Sequence, residues 1–332
     1  MADIAITTEL QEIQNNLWGT NVRENIALAL EKLQNLPEEP NTIQGSLKNS
    51  KLSLLKVSIQ NMENTLQSRK DQLDRIKARL EQVSGRTILQ YGQCGDDVYY
   101  AICDDGEAAL YGTGATYDYT FHDSVFYQNG QIKKIVLSNG ITGLGDRLFY
   151  HCANAKTVSL PATLTSIGDS AFAQEDAVIN DTAGLTSVTI PQAVTAIQSY
   201  AFYHTAIAEV TVPASVKTWG KYVFSGCAKL KTARVACDSI GAFAFTRCTA
   251  LSSLTISANC RTFGENMLTY CESLTVITYE GTIAQWNAIT KPVNWMSSGG
   301  HSYNDYLKKI QCVDGYLEYD TETHTWNEVK NE

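Results

Sequence analysis

The chain repeats one short unit between residues 132 and 279. Its clearest part is a hexapeptide of the form Ile-Gly-x-x-Ala-Phe, which ends at Phe149, Phe172, Phe202, Phe224, Phe245 and Leu268. These end points lie 23, 30, 22, 21 and 23 residues apart. A tandem repeat of this length predicts a solenoid, in which each unit buries its apolar face only against its neighbours. Because repeats build extended surfaces more readily than enclosed pockets, the pattern favours a binding protein over an enzyme.

Each unit opens with a segment in which apolar residues recur on one side, which is typical of a half-buried strand. We expect such strands at residues 132–137, 156–160, 185–190, 207–212, 230–235, 251–256 and 274–279. The hexapeptide then crosses back and places its last residue in the core. Residues 173–184 interrupt the second unit and are expected to form a loop at the edge of the solenoid.

One polar residue of each strand falls between the last two inward positions, so these residues form an exposed ladder. The candidate receptor face consists of Ser159, Thr189, Thr211, Arg234, Thr255 and Thr278. A row of small hydroxyl groups can hydrogen-bond a glycan. The alternative is that threonine occurs here only because β-branched residues favour strands.

Four of the nine cysteines occupy one repeat position, three residues after the hexapeptide: Cys152, Cys227, Cys248 and Cys271. The shared position predicts small buried thiols stacked along the solenoid rather than disulfide pairs. Cys94 and Cys103 are spaced for pairing across a hairpin, but reduced thiols are the expectation for a chain without an export signal. The sequence has no Cys-x-x-Cys or His-x-x-x-His spacing, and its five histidines do not pair with a nucleophile. We therefore expect no metal, no cofactor and no enzymatic activity.

The residues before the repeats predict helices. Residues 1–36 contain two short amphipathic helices, and residues 37–51 form a proline-containing linker. Residues 52–84 carry a heptad pattern whose seam is Leu52, Leu55, Ile59, Met62, Leu66, Arg69, Leu73, Ile76, Leu80 and Val83. This pattern predicts a parallel coiled coil. Leu at most a positions and β-branched residues at the last d positions favour three or four strands over two, and we choose a homotrimer. The alternative is one long helix packed within a single chain.

Caps are expected on both ends of the solenoid. Residues 86–131 form a β cap, with a hairpin that turns at Asp105-Gly106. Residues 280–332 form a C-terminal cap, in which Thr282 and Gln285 have the spacing of a helix capping box. The predicted fold class is therefore α+β: N-terminal helices and a coiled coil, followed by a β-capped solenoid over 132–279.

Composition limits the partners. The formal net charge is −9, which disfavours nucleic acid and anionic membranes. No run approaches the ~18 apolar residues that a membrane span requires. The first residues lack the basic and apolar regions of a secretory signal. We therefore expect synthesis in the cytoplasm, without membrane insertion.

The repeat unit Leu-x-x-Val-x-Ile-Pro…Ile-Gly-x-x-Ala-Phe-x-x-Cys resembles the BspA-like class of leucine-rich repeat over about residues 132–279. The segments Tyr91–Asp96 and Gly112–Ala115 look like the β cap that precedes such repeats. Tyr279–Trp286 looks like the closing cap. This resemblance implies surface adhesion and partner binding, usually on exported bacterial proteins. The missing export signal departs from that pattern.

A second resemblance concerns the N-terminus, which is similar to the opening of tail-fibre and baseplate proteins from phages of Gram-positive bacteria. The matching positions are Leu17, Trp18, Gly19, Val22, Arg23 and Ile26. The resemblance implies that this end attaches to other tail or baseplate proteins of the virion. The leading hypothesis is thus a tail-fibre protein whose repeats bind a glycan or protein on the host surface. The alternative is a non-virion bacterial adhesin or interaction scaffold.

Overall fold

The computed structural model describes residues 53–54, 56–68, 70–71, 74, 86–174, 183–296, 306–320, 322–323 and 325–331. The chain divides into two compact units, Met1–Ala78 and Arg79–Glu332, and each is considered separately. The predicted attachment residues 17–26, the two helices before residue 36 and the linker 37–51 lie outside the described residues.

In the first unit, the described residues between 53 and 74 are helical. The predicted seam coincides with the shielded side of this helix: Ile59 is 7% exposed, and Met62 and Leu66 are half-buried. Leu54 and Val57 lie off the seam and are exposed. The other seam positions, Leu52, Leu55, Arg69, Leu73, Ile76, Leu80 and Val83, lie outside the described residues. An apolar stripe fits both interpretations, the trimeric coil and the intrachain helix, so the coiled coil stays a prediction.

The second unit is built from short strands. In chain order they are β1 (Ile88–Gln93), β2 (Gly95–Cys103), β3 (Glu107–Thr116), β4 (Lys134–Leu137), β5 (Ile141–Leu144), β6 (Thr157–Ser159), β7 (Ser166–Ile167), β8 (Ala196–Ile197), β9 (Glu209–Val212), β10 (Thr218–Trp219), β11 (Thr232–Val235), β12 (Ser239–Ile240), β13 (Ser253–Ile256), β14 (Thr262–Phe263), β15 (Val276–Tyr279), β16 (Lys309–Cys312), β17 (Gly315–Asp320) and β18 (Thr325–Lys330).

The N-terminal cap is an antiparallel meander of β1, β2 and β3, and the predicted hairpin at Asp105-Gly106 is confirmed. Strand β3 then starts two parallel ladders. Its first residues pair with β4, and its last residues, Gly114 and Ala115, pair with β5. One long strand therefore covers the open edges of both solenoid sheets, which the cap of a solenoid must do.

The first ladder contains the strands predicted from the sequence, except for one. Parallel pairs join β4 to β6, and β9, β11, β13 and β15 follow one another in register. The expected strand at 185–190 is wrong, because only Ser187 bridges to Thr157. Val188 is half-buried there, and the segment follows the interruption of the second unit.

A second parallel ladder was not predicted. Its strands end at the first residue of each hexapeptide, and the ladder runs β5, β7, β8 and β10, with β12 and β14 as a separate pair. Its strands have only two residues after β5, which is too short to leave a period in the sequence. The solenoid of about seven turns therefore has two strand ladders and a turn between them.

The core lies between these ladders and is filled by the last residue of each hexapeptide. Successive phenylalanine rings stack nearly parallel. The ring centroids of Phe172 and Phe202 are 5.5 Å apart, and those of Phe202 and Phe224 are 5.3 Å apart. The predicted thiol stack is confirmed. The Sγ atoms of Cys227, Cys248 and Cys271 each donate to the carbonyl of the hexapeptide's last residue in the preceding unit.

All nine cysteines are free and buried. Burial raises the pKa of Cys152 to about 12 and that of Cys227 to about 11. Cys94 and Cys103 stand at opposite ends of β2, so the possible pairing across a hairpin is not present. These thiols are structural, because the reactive thiolate is strongly disfavoured in the core.

The C-terminal cap contains the helix Ile283–Asn287, and the predicted capping box between Thr282 and Gln285 is confirmed. Strand β16 continues the first ladder in parallel, and β17 and β18 close it as an antiparallel meander. The C-terminal cap predicted over residues 280–332 therefore ends in antiparallel strands, with β18 at the edge of the sheet. Within the described parts of the chain, no helix is long and apolar enough to cross a membrane.

Candidate functional site

The turns of the solenoid share an unusual backbone. The fourth residue of every hexapeptide has a positive φ, between 53° and 60°, although none is glycine: Arg147, Ser170, Tyr200, Tyr222, Phe243 and Asn266. This left-handed conformation costs roughly 1–2 kcal/mol for a residue with a Cβ. It is held by hydrogen bonds between units. The Tyr200 N–H donates to the Lys221 carbonyl at 2.9 Å, and the Tyr222 N–H donates to the Ala242 carbonyl at 3.0 Å.

These turns align side chains on one side of the solenoid. Tyr200 stacks on Tyr222 at 4.9 Å, and Tyr222 stacks on Phe243 at 4.4 Å. Tyr203 meets Tyr200 edge to face at 5.3 Å. We name this surface the aromatic turn face, and it consists of Phe121, Tyr150, Tyr200, Tyr203, Tyr222, Phe243 and Tyr270.

Two cavities open on the aromatic turn face. The first has a volume of about 420 Å³ and is lined by Phe121, Arg147, Tyr150, Asp169, Ser170, Ala173, Gln174, Tyr200 and Tyr203. The second has about 510 Å³ and is lined by Tyr200, Tyr203, Tyr222, Ser225, Phe243, Thr246, Arg247, Asn266, Thr269 and Tyr270. Because Tyr200 and Tyr203 line both, the cavities form one groove that runs along the repeats.

The polar groups of the first cavity are only partly satisfied. An Arg147 Nη atom lies 3.6 Å from Asp169, and its guanidinium lies over the Phe121 ring at 4.7 Å. Arg147 Nε and Gln174 Oε1 are nevertheless buried and without a hydrogen-bond partner, and Gln174 is only 3% exposed. Buried polar atoms without partners are costly, so this pair marks a place where a ligand could supply what the protein lacks.

The candidate receptor face predicted from the sequence lies elsewhere, on the first strand ladder. Thr211, Arg234, Thr255 and Thr278 are aligned by strand pairing, and Ser159 pairs with Val136. Of the six predicted residues, Arg234 and Thr255 are half-buried and the others are exposed. Thr189 lies outside a strand. Arg234 forms an ion pair with Glu280, in which Nη2 lies 2.8 Å from Oε2. Strand pairing therefore aligns four of these six side chains, and the role of the ladder in binding stays a prediction.

Sequence reasoning missed the aromatic turn face. The fourth place of the hexapeptide looked variable, because it holds the polar residues Arg147, Ser170 and Asn266 as well as Tyr200, Tyr222 and Phe243. The available signal was three successive aromatic residues at one repeat position. When the repeats are aligned, such a position predicts a row of side chains on one surface, because equivalent residues of successive units stack along a solenoid.

The described residues do not assemble a reaction centre that we can identify. No group of three or more His, Cys, Asp or Glu side chains among them could hold a metal ion. The groove instead offers rings, hydroxyls, the amides of Gln174 and Asn266, and two guanidinium groups. Tyrosine and arginine are enriched where proteins bind partners, because they combine large contact area with hydrogen bonding.

Comparison with known proteins identifies the repeat. The BspA type leucine-rich repeat region matches in six copies, over residues 119–180 and 175–289. A leucine-rich repeat protein from Eubacterium ventriosum is 20% identical, with 67% of this chain and 78% of that chain covered and a TM-score of 0.39. One from Bacteroides ovatus is 17% identical, with 68% and 70% covered and a TM-score of 0.38. A leucine-rich cell surface protein from Faecalibacterium prausnitzii is 16% identical, with 61% and 97% covered and a TM-score of 0.31. No curated protein matches. The family model spans more than half of the sequence, so this chain belongs to the BspA-type leucine-rich repeat family.

Proposed function

We propose that this protein is a non-catalytic receptor-binding protein that attaches to a bacterial surface through the aromatic turn face. The observation that carries the proposal is the groove itself, in which seven aromatic side chains line two connected cavities across successive repeats. Phe121 and Tyr270 are exposed and the other five are half-buried, and solvent-accessible aromatic tracts of this kind mark interaction sites. A glycan or a protein of the envelope is the partner.

In the version we prefer, the protein is a tail-fibre component of a phage that infects a Gram-positive host. Residues 17–26 attach it to other tail or baseplate proteins, residues 52–84 form a parallel homotrimer, and the repeats form the distal tip. What supports this version is the sequence resemblance at residues 17–26 and the apolar stripe of Ile59, Met62 and Leu66. Three tips on one rod gain avidity from weak individual contacts.

The second version is a bacterial surface adhesin or interaction scaffold that is not part of a virion. The family match is equally consistent with it. In this version the aromatic turn face has the same role, but the segment that matches tail proteins does not bind a baseplate. Neighbouring genes distinguish the two versions, because tail and lysis genes accompany a fibre gene.

Binding of the full-length chain to whole cells tests the proposal. We expect the fluorescently labelled protein to bind saturably to a subset of Gram-positive strains, and unlabelled protein to compete. Sedimentation of the same preparation is expected to give a trimer. If no strain shows saturable binding, the receptor-binding proposal is contradicted. A monomer at micromolar concentration would contradict the trimeric rod.

A further inference from the structure

The side chains at the fourth place of successive hexapeptides form a row, which we call the rungs of an outer ladder. The first cavity of the aromatic turn face exists because the side chain of one rung is small. At the fourth place of the hexapeptide, three successive units carry Tyr200, Tyr222 and Phe243, whose rings stack. The preceding unit carries Ser170, and the unit before it carries Arg147. Neighbouring units are spaced by about 4.8 Å, so a gap of roughly 10 Å separates the rungs of Arg147 and Tyr200. That gap has room for one six-membered ring.

The walls of this gap combine two kinds of chemistry. Phe121, Tyr150, Tyr200 and Tyr203 supply aromatic surface, and Gln174 and Arg147 supply polar groups. The volume of about 420 Å³ lies within the range of small-ligand sites. A sugar ring in the pyranose form has an apolar C–H face and a rim of hydroxyls, so it can contact aromatic rings and planar polar side chains together.

The unsatisfied atoms select for a hydroxyl-bearing ligand. Arg147 Nε is a donor that lacks an acceptor, and Gln174 Oε1 is an acceptor that lacks a donor. A hydroxyl both donates and accepts, so two adjacent hydroxyls can satisfy both atoms. A proline-rich peptide also docks in aromatic grooves, but its prolines have no N–H to donate to Gln174.

Resting on the proposed function, we infer that the first cavity is a carbohydrate subsite that takes one pyranose ring with adjacent free hydroxyls from a bacterial surface polysaccharide. The polymer continues past Tyr200 and Tyr203, which line both cavities, into the second cavity beside Arg247. The ligand thus runs along the repeats, and successive sugars lie on successive units.

The repeat itself supplies a variant that fills the subsite. Ser170→Tyr places at this rung the residue that Tyr200 and Tyr222 already show to be compatible with the same backbone, with φ of 58° and 60°. The variant therefore keeps the fold and closes the gap with a ring. Gln174→Met removes the unsatisfied acceptor with little change in volume. Ser253→Tyr adds a ring at an exposed position of β13, away from the groove, as the matched control.

The experiment uses the full-length chain and saturation-transfer NMR with a panel of methyl pyranosides, followed by binding to wall polysaccharide released from cells that bind the protein. We expect transfer to at least one pyranoside, a loss of more than tenfold in polysaccharide affinity for Ser170→Tyr and Gln174→Met, and a change below twofold for Ser253→Tyr. Circular dichroism checks that each variant is folded. If Ser170→Tyr does not fold, Gln174→Met decides alone.

Three results would overturn the inference: no transfer to any pyranoside together with no polysaccharide binding, unchanged polysaccharide affinity in the folded variants, or preferential binding of proline-rich peptides. These outcomes are separable from failure of the proposed function. If the chain binds cells but Ser170→Tyr binds them equally well, the receptor-binding proposal stands and the subsite is wrong. If the chain binds no cells, the receptor-binding proposal fails, and the pyranoside panel alone decides the subsite.

Discussion

We call the stacked rings at the sixth place of the hexapeptide the inner ladder and those at the fourth place the outer ladder. Replacing Phe202 by alanine tests whether the inner ladder is the core of the solenoid. Phe202 is fully buried, and its ring lies 5.5 Å from Phe172 and 5.3 Å from Phe224. Removing a core phenylalanine costs about 3–5 kcal/mol, because the lost burial is compounded by the cavity that is left. For a domain of this size, such a loss lowers the melting temperature by roughly 6–20 °C, at 2–4 °C per kcal/mol.

The matched control is Tyr222→Ala. Tyr222 also stacks on two rings, Tyr200 at 4.9 Å and Phe243 at 4.4 Å, but it is half-buried. Each of the two stacked pairs contributes about 0.5–1.5 kcal/mol, and no closed cavity forms, so we expect a loss of about 1–3 kcal/mol, below that of Phe202→Ala. Urea unfolding followed by circular dichroism measures both free energies. Equal losses for the two variants would refute the assignment of the inner ladder as the core and the outer ladder as a surface.

Three further predictions concern the repeat and its cap. We expect none of the nine cysteines to react with a thiol reagent in the native chain at pH 8 and all nine to react in guanidinium, because they are buried; rapid native reaction would be contrary to the buried stack. Gly241→Ala should destabilise by about 1–3 kcal/mol, since a Cβ there would lie 2.3 Å from the Gly220 carbonyl, whereas Gly130→Ala should be neutral, with its nearest neighbour at 3.6 Å. Burial lowers the pKa of Lys291 from 10.5 to about 8. Between these values the unfolded state retains a proton that the folded state has lost. The stability of the native protein relative to Lys291→Met should therefore rise with pH across this window, by about 1 kcal/mol after screening, and a difference that is flat or falls would contradict the burial of the ammonium group.

The period of the sequence was enough to predict the core. Burial of one aromatic residue per unit forces a regular spacing, so the phenylalanine stack, the thiol stack and most of the first ladder could be predicted. The second ladder could not, because strands of two residues such as Ser166–Ile167 leave no alternation to detect.

The aromatic turn face was missed for a different physical reason. Its stacked rings, Tyr200, Tyr222 and Phe243, have left-handed backbone conformations, which sequence patterns associate with glycine and asparagine. Inter-unit hydrogen bonds hold that conformation, and they are long-range in sequence. The strand ladder of Thr211 and Thr255 was predicted instead, because exposed strand positions follow directly from alternation.

The most direct test of the account compares the two surfaces in one cell-binding titration with the full-length chain. Tyr222→Ala combined with Phe243→Ala removes part of the aromatic turn face, and Thr211→Ala combined with Thr255→Ala removes part of the strand ladder. Loss of a central aromatic anchor costs 2 kcal/mol or more, which is about 30-fold in affinity. We predict that the aromatic double variant loses at least tenfold in affinity for cells while the threonine double variant changes by less than twofold. The opposite ranking, with both variants folded, would place the receptor on the strand ladder and contradict the account.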